Sequence, residues 1–253
     1  VFGAVVILTA LVLTALWVKE TLAWAHAEGA RHAAGKSTGP IPRFPQNISG
    51  QPTTWEVFTL MSWRDKRMAA LSQAGLVEKF VDALIWVVYP VYLYERGLSL
   101  AHIGWVVGVY GFVWGGSQFF TGRLSDRIGR QKPIVWGMWI CGAGVAMMLA
   151  GEAVWWWIAS AAITGFGMAL LYPNLSAAVA DIAHPNSRGS AIGIYRFWRD
   201  LGYGIGALAL GLVAHLTGNL SSGVWFVAIA MALSGLVVQI WGEETHPRLN
   251  PAH

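Results

Sequence analysis

Seven runs of about twenty apolar residues recur along this chain, at approximately 1–18, 76–94, 102–122, 133–151, 157–180, 190–214 and 222–242. A helix of about 20 residues crosses the ~30 Å hydrocarbon core of a bilayer, and a segment in lipid must satisfy its own backbone groups. Barrel strands would instead alternate in polarity over about ten residues, which these runs do not. The expected fold class is therefore all-α, a polytopic membrane helical bundle. Composition agrees, with only 12% of the 253 residues charged, roughly half the share of an ordinary soluble domain.

Charge placement gives an orientation. If the 19–75 loop is cytoplasmic, then 123–132, 181–189 and the tail from Gly242 are too. That side then carries thirteen Lys and Arg residues and the other side only Arg96, a positive-inside pattern that puts the C-terminus in the cytoplasm. Trp155, Trp156 and Trp157 are expected at the outer interface beside Glu152. The formal charge of +4 is too small and too unevenly placed to suggest nucleic acid. Cys141 is alone inside an apolar run, which excludes a disulfide framework or a cysteine-based metal site.

The organisation expected is a span at 1–18, a cytoplasmic linker at 19–75, six spans within 76–242 and a tail at 243–253. The chain opens at Val1 inside an apolar run, without an initiating Met or a basic leader, so the first span is read as the end of a missing N-terminal region. Within the linker, Trp55, Phe58, Leu60, Met61 and Met68 alternate with Arg64, Asp65, Lys66 and Arg67, suggesting an amphipathic helix on the membrane surface over 54–72. Residues 30–38 fit a relaxed phosphate-loop pattern, but Gly39-Pro40-Ile41-Pro42 follows where a helix would have to begin. Asn47-Ile48-Ser49 fits a glycosylation pattern on the wrong side of the membrane.

The most informative segment is Gly122-Arg123-Leu124-Ser125-Asp126-Arg127-Ile128-Gly129-Arg130-Gln131-Lys132. It resembles the signature loop of the major facilitator superfamily, G-x-L-x-D-R-x-G-R-[RK], with Gln131 the one departure. Tyr195-Arg196-Phe197-Trp198-Arg199-Asp200-Leu201-Gly202-Tyr203 resembles an element found in bacterial facilitators. The resemblance covers roughly 54–242. It implies the C-terminal six-helix half of a twelve-helix bundle, with two three-helix repeats of opposite orientation, in a bacterial inner membrane. It also implies a partner, the missing N-terminal six-helix half, and secondary transport of a small solute by alternating access, with H+ as coupling ion and no other cofactor. In that family Gly122, Asp126, Arg127, Gly129 and Arg130 act as a conformational latch. Asp126 would cap a neighbouring helix, and Arg127 and Arg130 would pair with carboxylates.

Several residues carry weight by their own chemistry. Ionisable groups inside a span usually face the bundle interior or a water-filled path. Asp82 stands in the 76–94 span ahead of Trp86 and Pro90, where a carboxyl in apolar surroundings can bind a proton reversibly; it is the candidate coupling residue, or else a static partner for Arg196 or Arg199. Glu78 and Lys79 lie nearer the interface and are expected to be solvated. Arg196 and Asp200 are four apart, so they can pair within a helix, and with Arg199 they form a candidate gate, ion network or anion site. Trp86, Tyr172 and Asn174 are candidate cavity residues, and Tyr172-Pro173-Asn174 is expected to break its span. Gly104, Gly108, Gly111 and Gly115 form one small-residue face, and Gly202, Gly206 and Gly211 another, each suited to close helix approach.

Two other classes compete. A membrane-embedded enzyme would need a catalytic cluster such as paired histidines, and the seven histidines are scattered over loops and span ends. No catalytic or metal-binding residues are therefore assigned. A non-transporting scaffold or sensor would show no substrate-dependent proton movement.

Overall fold

The computed structural model of the chain describes residues 53–184, 187–247 and 249, together with residues 7, 9, 11–14, 16, 27 and 30. The expected span at 1–18, the phosphate-loop match and the glycosylation match fall mostly or wholly outside the described residues, as does Arg248.

Among the described residues the chain is helical and has no strand. The order is α1 (Thr54–Thr59), a π turn (Leu60–Arg64), α2 (Lys66–Ala83), a second π turn (Leu84–Val88) and α3 (Tyr89–Glu95). There follow α4 (Leu100–Ile128), α5 (Gln131–Met147) with a 3-10 turn (Met148–Ala150), α6 (Val154–Ile182), α7 (Arg188–Thr217) and α8 (Leu220–Trp241). Four of these, α5 with its 3-10 turn, α6, α7 and α8, are long and apolar enough to cross a membrane. The other two stretches, α2–α3 and α4, carry the charges of the candidate site and the signature loop. α6 packs against α4 and α5, α2 against α7, and α8 against α5 and α2.

The surface helix expected over 54–72 is two different things. α1 is a single capped turn and a half, with the Thr53 hydroxyl and Glu56 carboxylate forming a reciprocal capping box. Asp65 then stops the π turn and starts α2 by accepting the N–H groups of Arg67 and Met68. Met68, Leu71 and Ala74 are buried, so the first turns of α2 belong to the bundle. Asp65 is half-buried, which alone would favour its neutral form. The hydrogen bond and charge of Arg67, with the two capping N–H groups, outweigh this and hold its pKa below the ordinary 3.8.

Pro173 does not break α6, which runs unbroken through it. Proline has no N–H for the carbonyl four residues back, here that of Ala169. The Thr121 hydroxyl of α4 donates to that carbonyl at 2.7 Å, and Asn174 donates through Nδ2 to the next one, Leu170, at 2.7 Å. A neighbouring helix thus supplies the missing donor, as membrane helices commonly require.

The three tryptophans after Glu152 divide. Trp155 is exposed. Trp156 and Trp157 turn inward and donate their indole N–H groups to the Met147 and Met148 carbonyls at 2.7 and 3.2 Å, satisfying the unpaired end of α5.

The two glycine faces also differ. A Cβ on Gly202 would collide with the Leu76 carbonyl and one on Gly206 with Phe80, whereas Gly104, Gly108, Gly111, Gly115 and Gly211 have nothing within 4 Å. The α7 pair allows α2 to approach; the α4 row lies open.

Candidate functional site

α2 places three ionisable side chains in the interior. Starting at Lys66 rather than near residue 76, it buries Glu78, Lys79 and Asp82, each at most 1% exposed. Glu78 lies about 18 Å along the helix axis from its start, at ~1.5 Å per residue. The expected solvation of Glu78 and Lys79 is therefore wrong, because the helix begins ten residues, nearly three turns, earlier than the hydropathy profile indicates. The second π turn follows directly after Asp82 and Ala83; such turns often mark functional positions in helices.

The geometry around Asp82 is saturated. Its Oδ1 accepts from the Tyr110 hydroxyl of α4 at 2.6 Å. Its Oδ2 accepts from Lys79 Nζ at 2.7 Å and from the Tyr203 hydroxyl of α7 at 3.0 Å. Lys79 Nζ also lies 3.3 Å from Glu78 Oε1 and within 5.2–5.6 Å of the ring centroids of Trp114, Tyr172 and Tyr203. A cation amid three rings gains from each aromatic quadrupole. The Glu78 contact is an ion pair by distance only: neither Glu78 oxygen has a hydrogen-bond partner. Two buried carboxylates thus share one ammonium, and Asp82 has the donors.

The other predicted residues fall around this cluster. Trp86 is half-exposed and packs edge-on against Tyr110 at 6.1 Å. A chain of rings continues from Tyr110 to Trp114 at 5.8 Å and Tyr172 at 5.7 Å. Arg199 stacks over Tyr172 at 5.0 Å and pairs with Asp200, its immediate neighbour, at 3.1 Å; the expected Arg196–Asp200 pair is replaced by this one, and Arg196 is exposed. Asn174 is buried with its Oδ1 unpartnered. Four elements, α2, α4, α6 and α7, therefore meet at one polar, ring-lined locus. Asp82, Tyr172 and Arg199 come together there. Tyr110 and Trp114 carry no ionised charge and gave no signal in the sequence, where Tyr203 figures only as the last residue of the 195–203 element, but Glu78, Lys79 and Asp82 did: three ionisable residues within five, with Glu78 and Asp82 four apart on one helix face.

The signature loop forms a second locus. Asp126 lies in the last turn of α4 and accepts from Arg130 Nη1 at 3.0 Å; Arg130 also reaches Ser125 Oγ at 2.7 Å and Asp181 at 3.3 Å. Gly129 has φ +95°, a conformation that favours glycine. Gly122 is half-buried and Arg127 is exposed. The carboxylate that caps α5 is Glu244 of the tail, in place of Asp126: it accepts the backbone N–H groups of Arg130 and Gln131 at 2.8 and 3.3 Å. No group of three or more potential metal ligands occurs among the described residues.

Comparison with known proteins agrees with this architecture. An MFS-type transporter of Salmonella typhimurium is 30% identical over 135 residues, which cover 53% of this chain and 34% of that protein. The inner membrane transport protein YajR of Escherichia coli is 31% identical over 147 residues, 58% of this chain and 31% of its own length. The multidrug resistance protein MdtH of Cronobacter sakazakii is 28% identical over 56% of this chain and 38% of its own. The chain thus spans about a third of the length of these relatives. Among solved structures, the peptide transporter POT in complex with sulfate superposes with a TM-score of 0.62 at 22% identity, covering 75% of this chain and 41% of that one, a likeness of fold. The family model of the Major Facilitator Superfamily matches residues 71–252, and the chain belongs to that superfamily.

Proposed function

We propose that this chain is one half of a secondary active transporter of a small solute, working by alternating access and coupled to protons. The observation that carries the reading is the buried Glu78–Lys79–Asp82 cluster, placed where α2, α4, α6 and α7 converge. Burying ions is costly unless they are paired and hydrogen-bonded, and this cluster sits beside half-exposed Trp86 and Tyr203. Asp82 is held by three donors. Glu78 has only the Lys79 ammonium, 3.3 Å away, and the charges acting on it are those of Lys79, Asp82 and Arg199. Glu78, rather than Asp82, is then the carboxyl that takes up the coupling proton, while Asp82 fixes the lysine.

The second half would cover the open faces of α4 and α7, where Phe112, Phe119 and Leu208 are exposed beside glycines with empty space. The setting is a bacterial inner membrane, with the basic loop after α4, the loop between α6 and α7 and the tail after α8 in the cytoplasm.

The test is solute accumulation by the complete protein in proteoliposomes, across a panel of radiolabelled amino acids, peptides, sugars and organic cations, with and without an imposed pH gradient. Gradient-dependent movement that survives Asp82→Asn better than Glu78→Gln supports the assignment. If no solute moves in either direction, the protein is a scaffold or sensor instead.

A further inference from the structure

The signature loop is tied to a segment that the motif does not include. After α8 ends at Trp241, residues 242–246 fold back under the cytoplasmic ends of the bundle. The Glu244 carboxylate takes three backbone N–H groups: Oε1 accepts from Arg130 and His246, each at 2.8 Å, and Oε2 from Gln131 at 3.3 Å. These are charge-assisted bonds at the positive end of a helix. Gln131, the one departure from the signature pattern, returns the contact by donating through Nε2 to the Gly242 carbonyl at 2.8 Å. Any side chain at Gly129 would run into the Glu244 carboxylate, so that glycine is required twice, by its backbone conformation and by the tail. The neighbouring Glu243 pairs with Arg67 at the start of α2 at 3.2 Å. Thr245 donates to Asp181 at 3.5 Å, the same carboxylate that Arg130 reaches.

We infer that Glu244 is a positioning residue of the cytoplasmic latch, setting the place of Arg130 from the tail. Arg130 has three side-chain partners, on α4 and α6, but its backbone is fixed by Glu244. The guanidinium cannot hold Ser125, Asp126 and Asp181 together unless the turn between α4 and α5 stays where the tail holds it. The tail also joins α2 to the same point through Arg67, so movement of α2, which carries the buried cluster, is transmitted to the loop. The inference rests on the transporter reading only for its consequence, and the contact itself is tested separately.

The test compares wild type, Glu244→Gln and Glu244→Ala in the complete protein in lipid nanodiscs. Hydrogen exchange of peptides covering 129–134 reports the contact. The reporter of state is maleimide labelling of Gly204→Cys, an open position on α7, in a background without other cysteines. Glutamine keeps one acceptor oxygen and alanine none. Exchange should therefore quicken in the order wild type, Gln, Ala, by about fivefold or more for Ala, the usual loss when a helix cap is removed. Labelling at Gly204→Cys should shift in the same order. Unchanged exchange overturns the clamp. Faster exchange with unchanged labelling also overturns the proposal, because Glu244 is then a static helix cap. If the alanine variant does not fold, the glutamine variant alone decides between these outcomes.

Discussion

Lys79 Nζ lies 2.7 Å from Asp82 Oδ2, with both side chains almost completely removed from solvent. Three residues apart on one helix, they form an ion pair that the helix itself presents. The surrounding elements contribute the Tyr110 and Tyr203 hydroxyls and the ring faces, without which the pair would carry the full cost of leaving water.

Removing the cation should be far more damaging than removing the pair. Lys79→Met leaves two buried carboxylates without the ammonium they share, and destabilisation of about 3–5 kcal/mol is expected. Lys79→Met with Asp82→Asn should recover part of that loss, read as the thermal midpoint of the detergent-solubilised protein. Equal loss in the single and double variants would show that the two side chains are not coupled.

Tyr110→Phe should cost more than Tyr203→Phe. Both hydroxyls donate to Asp82, but Tyr110 is fully buried and Tyr203 is 43% exposed, so water can replace only the second. A hydrogen bond to a charged group is worth about 1.5–3 kcal/mol; the Tyr110 variant should fall in that range and the Tyr203 variant below it, by the same thermal measurement.

On α7 two glycines two residues apart should respond oppositely to alanine. Gly202→Ala drives a methyl group into the Leu76 carbonyl and the Lys79 stem, an overpacking that costs about 1–3 kcal/mol. Gly204→Ala meets open space and gains about 0.5–1 kcal/mol of helix propensity. Chemical denaturation of the two variants against wild type measures the difference. Similar behaviour at both sites would contradict the close α2–α7 approach.

Asp65 gives a pH dependence of known sign. Its folded-state pKa lies below 3.8, so the capped α2 start gains stability that is present above the unfolded value and is lost as pH falls through the folded one. Asp65→Asn should flatten stability against pH below about 4, with little change near neutrality because asparagine also caps helices. A wild type and variant with parallel acid limbs would show that another carboxylate governs that range.

The class of the molecule is legible in the amino-acid order alone. Apolar runs of membrane-crossing length leave the backbone only the helix, and the Gly-Asp-Gly spacing of 122–132 marks the loop between α4 and α5. It also held Asp82 as an ionisable group in an apolar span. It did not show where α2 begins, because Lys66, Arg67, Ser72 and Gln73 lower the hydropathy of its first turns as a solvated loop would. Nor did it show that Pro173 would sit in an unbroken helix, since the donor that makes this possible, Thr121, is 48 residues away in sequence. The convergence of Tyr110, Trp114, Tyr172 and Tyr203 on Lys79, and the reach of Glu244 to the signature loop, depend on which helices pack together. Periodicity and composition report the solvent a segment prefers; the partner of a buried polar group is chosen by tertiary contact, and only there are these side chains brought together.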